Sequence, residues 1–230
     1  MIIGESLANG MAKRYLREMG DTFDRVFCAL AATSGAPVHK NAGKRTRKML
    51  KVVQRLSSPW IVAPPTIIGT KRTQIVLVVA MRPISEDAGE IVSVYADHSN
   101  YRIEPTPMQF TRHSLARLMQ TYRSTDRDEI VTTLLALAGQ IVDNIEHDAV
   151  FREATFYDVE DDDQVVAFIL SREPSEAKIA GIKNYPTLRL KTVIRGANAS
   201  GKHRHTLNVM RRRNVSKLVQ LENMGIRSDD

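Results

Sequence analysis

The chain has 230 residues, 43% of them hydrophobic, with a formal net charge of +7 and a pI of about 9.6. This apolar content is enough for a sizeable core and excludes a wholly disordered chain. A single cysteine, Cys28, excludes an intramolecular disulfide framework and a zinc site built from several cysteines.

The sequence predicts a cytoplasmic protein without a membrane segment. No window reaches 18 apolar residues, which is about the length that a membrane-spanning helix needs. The N-terminus lacks the basic and then apolar run of a signal peptide, because Glu5 follows almost at once.

The first 58 residues predict a basic, helical N-terminal region. Two helices are expected over 5–18 and 21–33, separated at Gly20, and a third over 44–56 with one apolar stripe. Three prolines between positions 59 and 65 then predict a boundary, and a second domain is expected over 66–230.

The second domain is predicted to mix strands with helices. Strands are expected over 73–81, 90–96, 101–104, 150–157, 164–171 and 187–195. Helices are expected from Thr111 or its neighbour to about Arg123, over 126–146 with Thr125 as N-cap, and over about 205–223. Helices, strands, helices, strands and a last helix predict an α+β fold with a mainly antiparallel sheet.

The positive charge is concentrated in two stretches that contain no acid, 39–55 and 187–221, which hold 16 of the 33 Lys and Arg residues. The other 17 stand against 26 acidic residues, so the rest of the chain is net acidic. A segregated basic surface is typical of a protein that binds nucleic acid, either RNA or DNA. An acidic protein partner is the alternative.

The cations of these stretches are the candidate phosphate contacts. They are Lys44, Arg45, Arg47, Lys48, Lys51, Arg189, Arg195, Lys202, Arg204, Arg211, Arg212 and Arg213. The first five lie on a helix that can contact a phosphate backbone or pack on an acidic part of its own domain. Strand alternation puts Arg189, Lys191 and Arg195 on one sheet face, as a phosphate platform or as charges that protect an edge strand.

The loop over 196–205 contains G-x-x-x-x-G-K-H, which is similar to a phosphate-binding loop but has His203 where Ser or Thr is required. It predicts a mobile, cation-bearing loop that closes over nucleic acid. Neither a metal nor a cofactor is predicted.

Helix 112–123 carries His113, Arg117 and Gln120 on the face opposite its apolar residues. A histidine one turn from an arginine can pair a proton-transfer group with a phosphate clamp. The same pattern also fits the solvated outer face of an amphipathic helix.

Residues 110–119 (FTRHSLARLM) resemble the F-x-x-H-[AS]-x-x-R-[LM] stretch of RelE-type toxins, small nucleases of the barnase–RelE-like fold. Residues 190–194 resemble the closing strand of that fold, so the resemblance covers about 110–195. It implies RNA cleavage without a metal. His113 and Arg117 match the helix motif, and Lys191 and Thr192 match the strand motif.

Three functions remain open from the sequence. The first is metal-independent RNA cleavage, with His113 or His203 transferring the proton and with Arg117, Lys191 and Arg195 stabilising the charged transition state. The second is nucleic-acid binding without catalysis by a plasmid, phage or defence-system factor. The third is a structural subunit that grips an acidic protein.

Overall fold

The computed structural model describes residues 2–34, 42–70, 74–97, 100–147, 153–159, 165–179 and 183–195. They form the helices α1 (Glu5–Ser34), α2 (Ala42–Gln54), α3 (Arg112–Tyr122) and α4 (Arg127–His147). They also form the strands β1 (Thr66–Gly69), β2 (Gln74–Ser85), β3 (Ala88–Ala96), β4 (Tyr101–Thr111), β5 (Glu153–Val159), β6 (Val165–Ile179) and β7 (Lys183–Arg195).

All seven strands belong to one sheet in the order β1-β2-β3-β4-β7-β6-β5. Every neighbouring pair is antiparallel except β4 and β7, which are parallel. The chain leaves β4 through α3 and α4, enters at the far edge as β5, and returns strand by strand until β7 lies beside β4. The predicted α+β fold with a mainly antiparallel sheet is confirmed.

The sheet carries a hydrophobic core on each of its two faces. Val78 of β2 packs in one cluster with Met49 of α2. Met81 of the same strand points the opposite way and packs in the other cluster with Leu115 of α3 and Leu134 of α4. We call the two sides of the sheet the α2 face and the α3 face.

Helix α1 is continuous, so the two separate helices predicted on either side of Gly20 are wrong. Its first half buries Ala12 in the α3-face core, and its second half buries Val26 in the α2-face core. The helix therefore crosses the edge of the sheet, and it does so at Pro83, whose ring lies 3.4 Å from the position of a Cβ on Gly20. This separation is an ordinary van der Waals contact, and proline has no N–H to leave unpaired at the edge.

The predicted boundary at 59–65 falls in the connection between α2 and β1. Trp60 in this connection is 1% exposed and belongs to the α3-face core. Its carbonyl accepts a hydrogen bond from the N–H of Met81 at 2.8 Å, so the connection pairs with the edge of β2. Both helices of region 1–58 bury their apolar faces against the sheet.

Other boundaries differ from the sequence prediction at prolines and at the start of α4. Strand β4 continues past residue 104 through Pro105 and Pro107, because a register shift against β3 accommodates them. Asp126 caps α4 in place of Thr125, since its Oδ1 accepts from the N–H of Asp128 at 2.7 Å. The predicted helix over 205–223 lies outside the described residues.

Candidate nucleic-acid interface

Helix α2 has an apolar stripe toward the sheet and a cationic stripe directly opposite. Thr46, Met49 and Val53 are at most 1% exposed, and their positions centre on one side of the helix. Lys44, Lys48 and Lys51 lie on the other side and are exposed, and Arg47 beside them is also exposed. At 1.5 Å per residue, the lysines span about 10 Å along the axis.

The charges of α2 are unfavourable for the helix that carries them. Lys44 and Lys48, like Arg47 and Lys51, are four residues apart, and like charges at this spacing repel. The first turn contains no acid, so Lys44 faces the positive end of the helix dipole, whereas Lys51 in the last turn faces its negative end. Within the described part of the chain, Lys44, Arg47, Lys48 and Lys51 make no ion pair, whereas Arg45 is partly buried and has a contact.

Two cations of β7, Arg189 and Lys191, pair with an acid from the neighbouring strand. Nη2 of Arg189 lies 3.1 Å from Oε2 of Glu173, and Nζ of Lys191 lies 3.5 Å from its Oε1. The Arg189 guanidinium also donates to Oε1 of Gln109 at 3.0 Å. The open phosphate platform predicted from an acid-free stretch is therefore occupied by a carboxylate.

The alternation predicted for β7 is wrong beyond Leu190. Leu170 of β6 pairs with Leu190 while Ile169 pairs with Thr192, so Lys191 is an extra residue in β7. Val193, which strict alternation places on the cationic face, is 3% exposed and lies in the α3-face core with Leu190. The side chain of Arg195, the last residue of β7, is not among those described.

Arg189 belongs to a polar row that crosses five strands on the α2 face. In register, Arg82 lies beside Glu90, Glu90 beside Gln109, Gln109 beside Arg189, and Arg189 beside Ser171. Arg82 donates from Nε and Nη2 to Oε1 of Glu90, at 2.9 and 2.7 Å. Arg82 with Glu90, and Arg189 with Gln109, thus satisfy polar groups that are partly buried in the sheet.

Helix α3 exposes the two residues predicted for proton transfer and phosphate binding. Thr111 is its N-cap and forms a capping box with Ser114. His113 and Arg117 are exposed, and Nη1 of Arg117 donates to Oε1 of Gln120 at 3.2 Å. Because α3 covers the α3 face, the sheet lies between these two residues and Lys191 on the α2 face.

The remaining predicted site residues lie outside the described residues. They are Lys202, His203, Arg204, Arg211, Arg212 and Arg213.

The large pKa shift among the described groups belongs to a structural cluster that joins α1 to α4. Arg127 donates to both carboxylate oxygens of Glu18, at 2.7 and 2.8 Å. These hydrogen bonds lower the pKa of Glu18 from 4.5 to about 2, against the opposing effect of burial. Arg127 also lies over the ring of Tyr15, whose hydroxyl donates to the carbonyl of Thr125 and whose pKa is raised by burial.

Neither a metal centre nor a membrane helix is evident in the part of the chain described. No three His, Cys, Asp or Glu side chains among those residues are grouped to hold a metal ion. None of the helices α1 to α4 is long and apolar enough to cross a membrane.

Sequence reasoning missed Glu173, Gln109 and Glu90 as partners of the basic strand and its row. Glu173 is 18 residues from Lys191 along the chain, and Gln109 is 80 residues from Arg189. The alternation of side chains along a strand predicts on which face of the sheet a residue lies. Its neighbours on that face depend on the order of the strands, so no local signal identifies these partners.

No family model, no curated protein and no solved structure matches this chain. The resemblance of residues 110–195 to the barnase–RelE-like fold therefore stays a prediction.

Proposed function

We propose that this protein binds nucleic acid through the phosphate backbone, and that α2 supplies the contact. The observation that supports this most is the stripe of exposed cations on α2, for which the described residues provide no carboxylate. Repulsion between the cations of the stripe destabilises the helix. A polyanion bound along the stripe relieves this repulsion, and the free energy that is regained favours binding.

The chemistry of the stripe favours phosphates over bases. Lys44, Lys48 and Lys51 are flexible point charges, and Arg47 adds one guanidinium. Helix α2 carries no aromatic side chain on which a base can stack. Gln54, a residue type that reads base edges, donates instead to the carbonyl of Pro65. Such a surface binds with little dependence on base sequence.

The test is the salt dependence of affinity, measured by fluorescence anisotropy with a labelled duplex of about 20 base pairs. When four protein cations contact phosphates, the counterions condensed on those phosphates are released. This predicts a slope of log K against log salt of about −4 for duplex DNA. Lys44→Glu with Lys48→Glu should reduce the slope by about two and weaken binding roughly 30-fold at about 0.1 M NaCl.

A matched control carries the same change of charge elsewhere. Arg123 and Arg172 are exposed and lie outside α2, so Arg123→Glu with Arg172→Glu should change affinity less than about threefold. Equal losses in the two double variants would indicate an effect of net charge and would refute a specific role for α2. Stronger binding of polyglutamate than of duplex DNA or RNA would favour the acidic protein partner instead.

RNA cleavage without a metal is a second candidate, supported by the exposure of His113 and Arg117 one turn apart on α3. In this candidate His113 transfers the proton and Arg117 stabilises the developing phosphate charge. RNA is incubated with the protein in chelator, beside His113→Ala and the control Arg123→Ala. Cleavage that only His113→Ala abolishes would support it, and intact RNA under all conditions would end it.

A further inference from the structure

The groove in which α1 crosses the β2–β3 hairpin has the form of a ligand site. Its volume is about 520 Å³, within the range of pockets that hold small ligands or peptide segments. Its apolar floor contains Leu16, Gly20, Pro83 and Ile84. Ile84 is 46% exposed, so the hairpin presents an apolar side chain to solvent at the groove.

The charges around this floor are sorted by sign. Lys13 and Arg17 line it toward the start of α1, Asp21 and Asp24 line it toward the end of α1, and Glu86 lines it from the hairpin. None of these five side chains makes an ion pair or hydrogen bond with another described residue. Nearby Arg14 differs, because its Nε is 2.8 Å from Oε1 of Glu18.

The sorting places like charges side by side within each end, whereas Arg17 and Asp21, where the two ends meet, are four residues apart and opposite in charge. Lys13 and Arg17 are four residues apart, and Asp21 and Asp24 are three apart, so each end places like charges on adjacent turns. The centres of the two ends are separated by about 11 Å along α1, at 1.5 Å per residue. A ligand with one anionic and one cationic group at about this separation neutralises both ends at once.

We propose that this groove binds an extended peptide segment of a partner protein, with an acidic, an apolar and a basic side chain on one face. In an extended chain, side chains at alternate positions share a face and are about 7 Å apart, so the pattern acidic-x-apolar-x-basic spans about 13 Å. The acidic side chain lies against Lys13 and Arg17, the apolar one against Ile84 and Pro83, and the basic one against Asp24. This site is separate from α2 and does not depend on nucleic-acid binding.

The test uses three synthetic peptides and heteronuclear NMR of the full chain. The dipolar probe is acetyl-Gly-Glu-Ser-Leu-Ser-Arg-Gly-amide, and the comparison probes have two Glu or two Arg at the charged positions. The dipolar probe should bind at least about fivefold more tightly than either comparison probe, with shifts centred on Gly20 and Ile84. Shifts elsewhere on the protein, or equal affinity for the three probes, would overturn the proposal.

A charge change in the groove gives a second measurement. Lys13→Glu with Arg17→Glu makes both ends acidic, so preference should move from the dipolar probe to the probe with two Arg. Arg123→Glu with Arg172→Glu has the same net charge and should keep the preference for the dipolar probe. An identical change of preference in both variants would mean that net charge, and not the groove, selects the peptide.

Discussion

Helix α2 and strand β7 are both basic in sequence and differ in what folding does with their charge. On α2, Lys44 and Lys48 remain exposed with no acidic partner among the described residues. On β7, Arg189 and Lys191 share Glu173, and Arg189 also binds Gln109. The two regions show that an acid-free stretch of sequence is not the same as an acid-free surface.

The difference follows from where the neighbouring side chains of a helix and of a strand lie in the sequence. On a helix, the side chains nearest to a residue are three and four positions away, so they come from the same basic stretch. On a strand, the nearest side chains belong to adjacent strands, which can be far away in sequence. A basic helix thus keeps its charge more readily than a basic strand inside a sheet.

The largest expected effect comes from reversing the charges of β7. Arg189→Glu with Lys191→Glu would place three carboxylates together, one of them Glu173 at 14% side-chain exposure. We expect the free energy of unfolding to fall by about 3 kcal/mol in chemical denaturation. Affinity for duplex DNA should change far less than in the α2 variant, since Glu173 already offsets part of the charge of these two cations. An unfolding free energy equal to that of the wild type would contradict the match with Glu173.

Arg127, like Arg189, pairs with a carboxylate. The contribution of the Glu18–Arg127 pair to stability depends on pH. The folded pKa of Glu18, about 2, lies below its ordinary value of 4.5, so this stability is present above pH 4.5 and is lost as the pH falls toward 2. Glu18→Gln should cost about 2 kcal/mol at neutral pH and flatten the acid side of the stability profile.

The control for this pair is Glu86→Gln, a change of the same kind at an exposed position of the β2–β3 turn. It should leave the acid limb of thermal unfolding curves unchanged. If Glu18→Gln kept the pH dependence of the wild type, another group would be responsible for it.

A smaller effect is expected when Arg189 and Lys191 of β7 lose their acidic partner, so that, like the cations of α2, they have no carboxylate nearby among the described residues. Glu173→Gln removes the carboxylate that pairs with Arg189 and Lys191 while keeping a side chain of similar size. Affinity for duplex DNA should rise about threefold, and the salt slope should steepen by up to one. Anisotropy titrations at several salt concentrations measure both. An unchanged slope would mean that this part of the sheet does not reach the phosphates.

The smallest effect concerns Lys48. Removing its charge should stabilise the protein, whereas reversing the charges of β7 should destabilise it. Neutralising it with Lys48→Gln relieves repulsion from Lys44 and Lys51, so the protein should become more stable by about 0.3 kcal/mol. The same change should weaken duplex binding and reduce the salt slope by about one. A loss of stability would instead reveal a carboxylate that Lys48 satisfies. Thermal melts of the wild type and of Lys48→Gln, run side by side, show whether the stability rises or falls.

Local patterns predicted the helices that bear the candidate residues. The stripe of Met49 and Val53 placed α2, and the capping residue Thr111 marked the start of α3. The continuity of α1 was missed because a glycine usually weakens a helix, whereas here the helix is held on both sides of Gly20 by packing against the sheet. The bulge at Lys191 was missed because register depends on the partner strand.

The amino-acid sequence by itself determined the α+β class, the basic charge and the amphipathic character of α2, because each depends on composition or on residues within a few positions. Only the tertiary structure decided that Glu173 pairs with Arg189 and Lys191 of β7, that α1 crosses the edge of the sheet, and that His113 and Lys191 lie on opposite faces. These features depend on strand order and register, which join residues that are distant in sequence.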